Sequence, residues 1–488
     1  MDSRFSAAWP HDRRVQFALC LFIALLTRAP VFGDPNYLPD EQLFFTIGQR
    51  MHDGFLPYVG VWDRKGPGLF LVYYLIAGLS RSVVAYQAIA ALFAAATGYL
   101  VIRLASRFAP VAGAIIAGLL YIALLPLFAG GAGNAPVFYN LPMAAAALLV
   151  FRGAAQPRND ARSQRDEVLA MLLAGSAITF KQTAVFEGIW LGCFALWSAW
   201  RQGAGPARLA LRALVLALAG AAPMLAFAAA YLALGHFDAF WQAMVISNMR
   251  KAYLLGDDQA RRLAIFALFL APTLVPAVLS LTLLGRAMGI ARWFLIGWLG
   301  AALVGFASVP NFIDHYALPL ILPTSVAAAM ALGWRRGTVL TGLVVLAVLS
   351  AMPLQQLGQR ATSRAQMQAL VGQIMGRDPA PRLFVFEGPV FLYPLTGSYP
   401  PTPLIFPLHL FYAPERNTSQ FDTAGEVRKV LAWRPTTIVR AHGLRNDYLN
   451  VETDAMVRKY LQERCRRWLT APLTDRYGTN EYDIYACV

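Results

Sequence analysis

The sequence is poor in charge. Asp, Glu, Lys and Arg make up 14% of it, against about 25% in an average soluble domain. Hydrophobic residues reach 57% and gather in long runs, so a water-soluble fold is excluded for most of the chain. Cysteine is scarce too: four in 488 residues exclude a disulfide-built scaffold, and without a short repeat a collagen-like chain is excluded. Acidic residues are fewer than basic ones, 27 against 42, for a net charge of +15. In a soluble protein that excess would suggest nucleic acid. Here no basic stretch is interleaved with aromatics as a stacking platform, so no nucleic-acid partner is expected. The plainer source of the excess is the Arg and Lys that multispanning proteins collect in cytoplasmic loops. Also missing are a phosphate-cradling Gly-x-x-x-x-Gly-Lys-Ser/Thr loop, a dinucleotide fingerprint and the His-x-x-x-His or Cys-x-x-Cys spacings of zinc sites.

What is present is a series of bilayer-length apolar runs. Arg4, Arg13 and Arg14 precede the run 15–26, which lacks a small-residue cleavage site and reads as an uncleaved first helix with its N-terminus in the cytoplasm. Further spans are expected near 83–102, 109–128, 137–151, 168–180, 184–200, 209–234, 263–284, 293–309, 317–333 and 338–352, about eleven in all. The two flanking Lys181 are short for a bilayer. If 67–80 is an interfacial helix within an outer loop 34–82, every basic cluster between hairpins falls on one side. These clusters are Arg103 and Arg107; Arg152, Arg158, Arg162 and Arg165; Arg201, Arg208 and Arg212; Arg286 and Arg292; Arg335 and Arg336. That satisfies the positive-inside bias and predicts a multi-pass membrane protein with these clusters in the cytoplasm.

The tail 353–488 then lies on the periplasmic face. Apolar runs at 383–386, 437–439 and 482–485 alternate with helix-like stretches at 426–433 and 454–468, the pattern of a small α/β domain. An oxidising compartment would allow Cys465 and Cys487 to pair; sequence alone leaves that open. The expected architecture is an all-α polytopic membrane domain, 1–352, followed by a soluble α/β domain, 353–488.

Polar chemistry concentrates in loop 34–82. It carries Asp34, Asp40, Glu41, Asp53 and Asp63 together with Arg50, Arg64 and Lys65. A solvated loop needs polar residues for no special reason, but Asp40 and Glu41 open an amphipathic stretch (Leu43, Phe44, Ile47) that would hold a carboxylate at the membrane boundary. The order Arg28, Pro39-Asp40-Glu41, Gly54-Phe55-Leu56-Pro57-Tyr58 and Asp63-Arg64-Lys65-Gly66-Pro67-Gly68 resembles the first outer loop of the GT-C membrane glycosyltransferases. Within them it is most similar to the protein-mannosyltransferase-like branch that includes aminoarabinose and galacturonic acid transferases. Phe180-Lys181-Gln182-Thr183 and His315-Tyr316-Ala317-Leu318-Pro319 extend the resemblance more weakly.

The resemblance implies a GT-C-like fold and an inverting glycosyltransferase. A hexosyl or pentosyl unit would pass from a polyprenyl-phosphate donor to a hydroxyl of a glycan, lipid or protein acceptor. It implies Asp40 as the catalytic carboxylate and Glu41 as its support. Physical chemistry agrees, since transfer to a hydroxyl needs a nearby group to accept the proton, and an aspartate is ordinarily ionised at neutral pH. Fixed cations should meet the leaving lipid phosphate. The candidates are Arg64 and Lys65, with Asp63 in the same motif, then Lys181 between two apolar runs, Arg250 and Lys251 in the outer loop 235–262, and His315 with Tyr316. Lys181 could instead snorkel to the interface, and His315 could pack between helices. Asp257 and Asp258 could join Asp40 around a divalent ion or simply make a turn after Gly256; no other cofactor is implied. Relatives often have Pro-Pro where this chain has Gly66-Pro67, and the second outer loop, 129–140, carries no carboxylate. The rival reading is a transporter or lipid flippase, against which stand the lack of obvious internal repeats and of charges deep in most spans. A scaffold anchoring the outer domain is a third.

Overall fold

The computed structural model describes residues 11–154, 161–252, 258–334, 356–443 and 448–488. The expected span 338–352 lies outside these, as do Arg4, Arg158, Asp257, Arg335 and Arg336. The chain opens with α1 (Arg13–Arg28), α2 (Pro39–His52) and α3 (Pro67–Leu79). There follow α4 (Val83–Ala105), α5 (Val111–Leu124, prolonged by a 3-10 turn to Phe128) and α6 (Ala135–Ala154). Next come α7 (Ala161–Phe180), α8 (Val185–Arg201), α9 (Pro206–Ala233), α10 (Gln259–Thr282), α11 (Ile290–Ala307) and α12 (Leu318–Leu332).

Among the described residues, 7 helices are long and apolar enough to cross a membrane: α4, α5 with its extension, α6, α9, α10, α11, and α12 with the turn before it. Three more stand where spans are expected. α1 has 16 residues and α8 has 17. α7 has 20, but its first turns carry Arg162, Arg165, Asp166 and Glu167.

Two compact units result. The first comprises Met1–Ala29, Ala88–Phe227 and Leu255–Pro353; the second comprises Pro30–Gln87, Ala228–Leu254 and Leu354–Val488. Small residues bring the helices of the first unit close, as expected where lipid supplies no hydrophobic drive between helices. A Cβ on Gly113 of α5 would stand 2.1 Å from the Ala329 carbonyl oxygen of α12. The span containing α12 is 94% buried within the protein, and Thr273 of α10 bonds Thr324 of α12 at 3.3 Å.

The second unit gathers the segment after α1, the segment after α9 and the tail. α2 starts at Pro39, whose missing N–H is no loss in a first turn. Asp40 and Glu41 follow it, where the positive end of the helix dipole favours carboxylates. Residues 41–49 are all buried in protein, Phe44 against Phe70 and Tyr73 of α3 and Phe45 stacked on Phe391. α3 does keep an open apolar stripe, Leu71, Leu75 and Leu79, at the spacing of one helix face.

In the tail, α13 (Leu357–Arg377), β1 (Leu383–Val385), α14 (Thr423–Ala432), β2 (Thr437–Ala441), α15 (Val451–Arg464), β3 (Cys465–Thr474) and β4 (Thr479–Cys487) build a sheet of order β1-β2-β4-β3. β1 and β2 are parallel and the other pairs antiparallel. The helix expected to run to Trp468 stops at Arg464, and Cys465 begins β3. Pairing with β4 overrides the local helical pattern, and Cys465 and Cys487, opposite each other in register, form a disulfide. The buried ion pair of Asp34 with Arg360 of α13, at 3.1 Å, fastens the segment after α1 to this domain. Ser363 also donates to Asp34 at 2.8 Å, and Asn36 donates to the Thr474 carbonyl at 3.0 Å.

Candidate active site

Within the second unit, α2 and the stretch before α3 bring Asp40 and Lys65 together, Nζ to Oδ2 3.9 Å, with side chains 25% and 20% exposed. The loop between is shaped by Gly54, at φ +87, and by Tyr58, at φ 69; Tyr58 donates to the Lys65 carbonyl at 2.8 Å. Asp63 turns the chain back by accepting from the Lys65 N–H at 2.7 Å, a local Asx turn. Glu41 points inward, 3.3 Å from the Tyr86 hydroxyl, so the two adjacent acids face different surroundings.

The tail supplies partners that the sequence reading misses. Glu415 receives both Nη1 (3.1 Å) and Nη2 of Arg64, a bidentate geometry that suits guanidinium and carboxylate. Arg64 Nη2 also donates to Thr418 at 2.9 Å, and Lys251 Nζ lies 3.5 Å from Glu415. His409 stands between two acids, 3.7 Å from Asp63 and 3.8 Å from Glu415, packed edge-on against Trp62. Those distances exceed hydrogen-bond length, so the imidazole acts on both acids as a neighbouring charge or dipole. No motif marks His409 or Glu415, and the sequence around them carries no clue to their role.

Burial alone would raise the carboxyl of Glu415. The pull of His409, Arg64 and Lys251 overcomes it and holds the group far below its ordinary value of 4.5. Asp63, equally buried, is held below its ordinary 3.8 by His409 and Lys65. Burial lowers the ammonium of Lys251, with Glu415 opposing and Arg64 and Lys65 assisting. The sign follows from the depressed acids. Their stabilisation is complete above the unfolded values, 4.5 and 3.8, and drains away as pH falls below them toward the folded values. Thermal unfolding of the purified protein should therefore be insensitive to these groups at neutral pH and weaken below pH 4.5. Glu415→Gln should flatten that acid slope; an unchanged slope would remove Glu415 from the account.

The other candidates fall as follows. Arg250 is exposed at the end of a short helical turn in the second unit. Lys181, His315 and Tyr316 lie in the first unit, all buried. Lys181 Nζ sits 4.2 Å from the centre of the Tyr316 ring, beside a void of about 10 Å³, room for one water-sized group. His315 Nδ1 is 3.7 Å from Asp314. Asp258 is paired with Arg262 at 2.7 Å, and among the described residues no group of three His, Cys, Asp or Glu is arranged to hold a metal.

No protein-family model and no curated protein sequence matches this chain. Its fold is nevertheless that of the GT-C membrane glycosyltransferases, the fold that the first-loop motif resembles. It is similar in fold to ArnT from Cupriavidus metallidurans. The crystal structure of ArnT bound to undecaprenyl phosphate matches with a TM-score of 0.62 at 14% identity, covering 96% of this chain and 97% of ArnT. The apo state matches with a TM-score of 0.61 at 14% identity and the same coverage. At that identity the likeness is one of fold.

Proposed function

We propose that the protein is an integral-membrane inverting glycosyltransferase that moves a sugar from a polyprenyl-phosphate donor to a hydroxyl acceptor on the extracytoplasmic face. On this reading it resides in the bacterial inner membrane with its N-terminus in the cytoplasm. Residues 1–352 form the catalytic membrane domain and 353–488 a periplasmic one. The observation that carries the proposal is the half-open Asp40–Lys65 pair at the start of α2. It lies in a chain whose fold matches, nearly end to end, a protein crystallised with undecaprenyl phosphate. The Cys465–Cys487 disulfide supports an oxidising location for the tail.

In the proposed reaction the acceptor oxygen attacks the anomeric carbon and its proton passes to Asp40. The bond from that carbon to the phosphate oxygen breaks, and polyprenyl phosphate leaves as the anion. One carboxylate base and a single displacement invert the anomeric centre. Glu41 supports the first turn of α2 from within. Lys65 and Lys251 take the developing phosphate charge, with Asp63 orienting Lys65 and the exposed Arg250 adding to the local field. Arg64, already held bidentate by Glu415, acts by fixing the carboxylate that Lys251 faces. Lys181, His315 and Tyr316 are proposed as further donor contacts in the first unit. A transporter or flippase would move the donor intact. Purified protein given a radiolabelled polyprenyl-phosphate sugar and a lipid A or glycan acceptor should therefore release free polyprenyl phosphate. Translocation of intact donor in proteoliposomes, with no release, would overturn the enzyme reading.

A further inference from the structure

Apart from the candidate active site, the first unit contains a cleft with one charged end and one apolar end. A cavity of about 660 Å³ opens between the first turns of α7 and α9. Arg165, Arg208, Arg212 and Glu167 supply its charged lining. Glu167 is matched by Arg212, whose Nε donates to it at 2.7 Å. Arg165 and Arg208 make no ion pair among the described residues, so the cavity keeps an excess of positive charge. Leu216 lines both this cavity and a neighbouring apolar groove of about 390 Å³.

The groove exists because its walls lack side chains. Gly175, Gly188, Gly192 and Gly220 line it along α7, α8 and α9. α7 and α9 touch where a Cβ on Gly175 would stand 2.2 Å from the Gly220 carbonyl oxygen. From that crossing the two helices run back toward Arg165 and Arg208 for roughly 15 and 18 Å, at 1.5 Å per residue. The wedge on that side is the charged cavity. α9 is only 6% buried within the protein, against 33% or more for the other membrane-length helices, so its flank is open to lipid.

We propose that this cleft is a binding site for one anionic glycerophospholipid. The lipid phosphate lies against Arg165 and Arg208, and an acyl chain follows the glycine-lined groove. A basic pocket between membrane helices selects an anionic headgroup; arginine's planar fork suits its phosphate, and the two helix N-termini add favourable dipoles. A zwitterionic lipid would bring a cation toward the arginines, and a soluble phosphate would leave the groove unused. The site is independent of the transferase reading.

The test places the full chain in nanodiscs of equal parts phosphatidylglycerol and phosphatidylcholine, transfers it to mild detergent and counts retained lipid by native mass spectrometry. Wild-type protein should retain phosphatidylglycerol in preference to phosphatidylcholine. The double variant Arg165→Gln/Arg208→Gln should bind it roughly thirtyfold more weakly, from the usual attraction per basic residue. Gly192→Leu should also lower retention with both arginines intact. An added Cβ there meets only Met171 Sδ, at 3.5 Å, and thermal unfolding checks that the variant folds. If it does not fold, the double variant, which changes two exposed arginines, decides alone. Equal retention of the two lipids, or wild-type retention by the double variant, would overturn the proposal. So would displacement of the lipid by millimolar inorganic phosphate, which would make the cavity a soluble-anion site.

Discussion

Asp40→Asn is expected to lower the rate of polyprenyl-phosphate release by at least about 10²- to 10⁴-fold, the range that a positioned general base contributes, while the protein unfolds at nearly the wild-type temperature. The two halves of that expectation rest on different magnitudes. Asparagine has the shape of aspartate but cannot take the acceptor proton. What it forfeits in stability is small. The Lys65 contact is 3.9 Å long between partly exposed groups, where ion pairs contribute about 0–1 kcal/mol. The loss of a charge from the first turn of α2 costs about 0.3–1 kcal/mol more. Release at wild-type rate by a folded variant would take Asp40 out of the mechanism. Lys65→Ala separates the roles further: as a phosphate contact it should lose rate with less change in the pH profile than Asp40→Asn produces.

The largest stability effect should come from Asp34→Ala. The Asp34–Arg360 pair has both side chains at 0% exposure. Burial pushes the Asp34 carboxyl up, while Asn36, Ser363 and Arg360 pull it down, so the intact pair contributes little net stability. Breaking it is another matter. Removing the carboxylate leaves the buried guanidinium without its counter-charge, still donating to the Asp475 carbonyl; losing one partner of a buried pair costs about 3–5 kcal/mol and should lower the unfolding temperature by roughly 10 °C for a unit of this size. Replacing both partners, Asp34→Leu with Arg360→Met, should recover most of the loss, because two buried charges are removed together. A single variant as stable as wild type would show that the Asp475 carbonyl and water satisfy Arg360 when Asp34 is gone.

The candidate site was legible where its residues are close in the chain. Asp40 and Lys65 lie 25 residues apart in one segment between α1 and α3, and a proline before two acids announces a helix start whatever the rest of the fold does. Chemistry allows Cys465 and Cys487 to pair, and the register of β3 on β4 decides that they join. The boundary at Arg464 is not legible in the sequence because a helical pattern continues past it, and only the neighbouring strand converts 465–474 to sheet. Glu415 and His409 were invisible for a stronger reason. Glu415 meets Arg64 across 351 residues of sequence, and nothing local to either residue encodes that meeting.

Composition and periodicity alone determined that this chain lives largely in a membrane, that its helices are apolar, and that the segment 34–82 sets carboxylates beside basic residues. These properties depend on each residue's own transfer energy and on spacing along one helix, both readable in one dimension. Only the tertiary structure decided which carboxylate answers which cation, that residues 30–87 and 228–254 fold as one unit with the tail, and that α7, α8 and α9 leave a charged, glycine-walled cleft. Coulomb pairing and close packing act over a few ångströms between groups that the chain connects only through hundreds of residues.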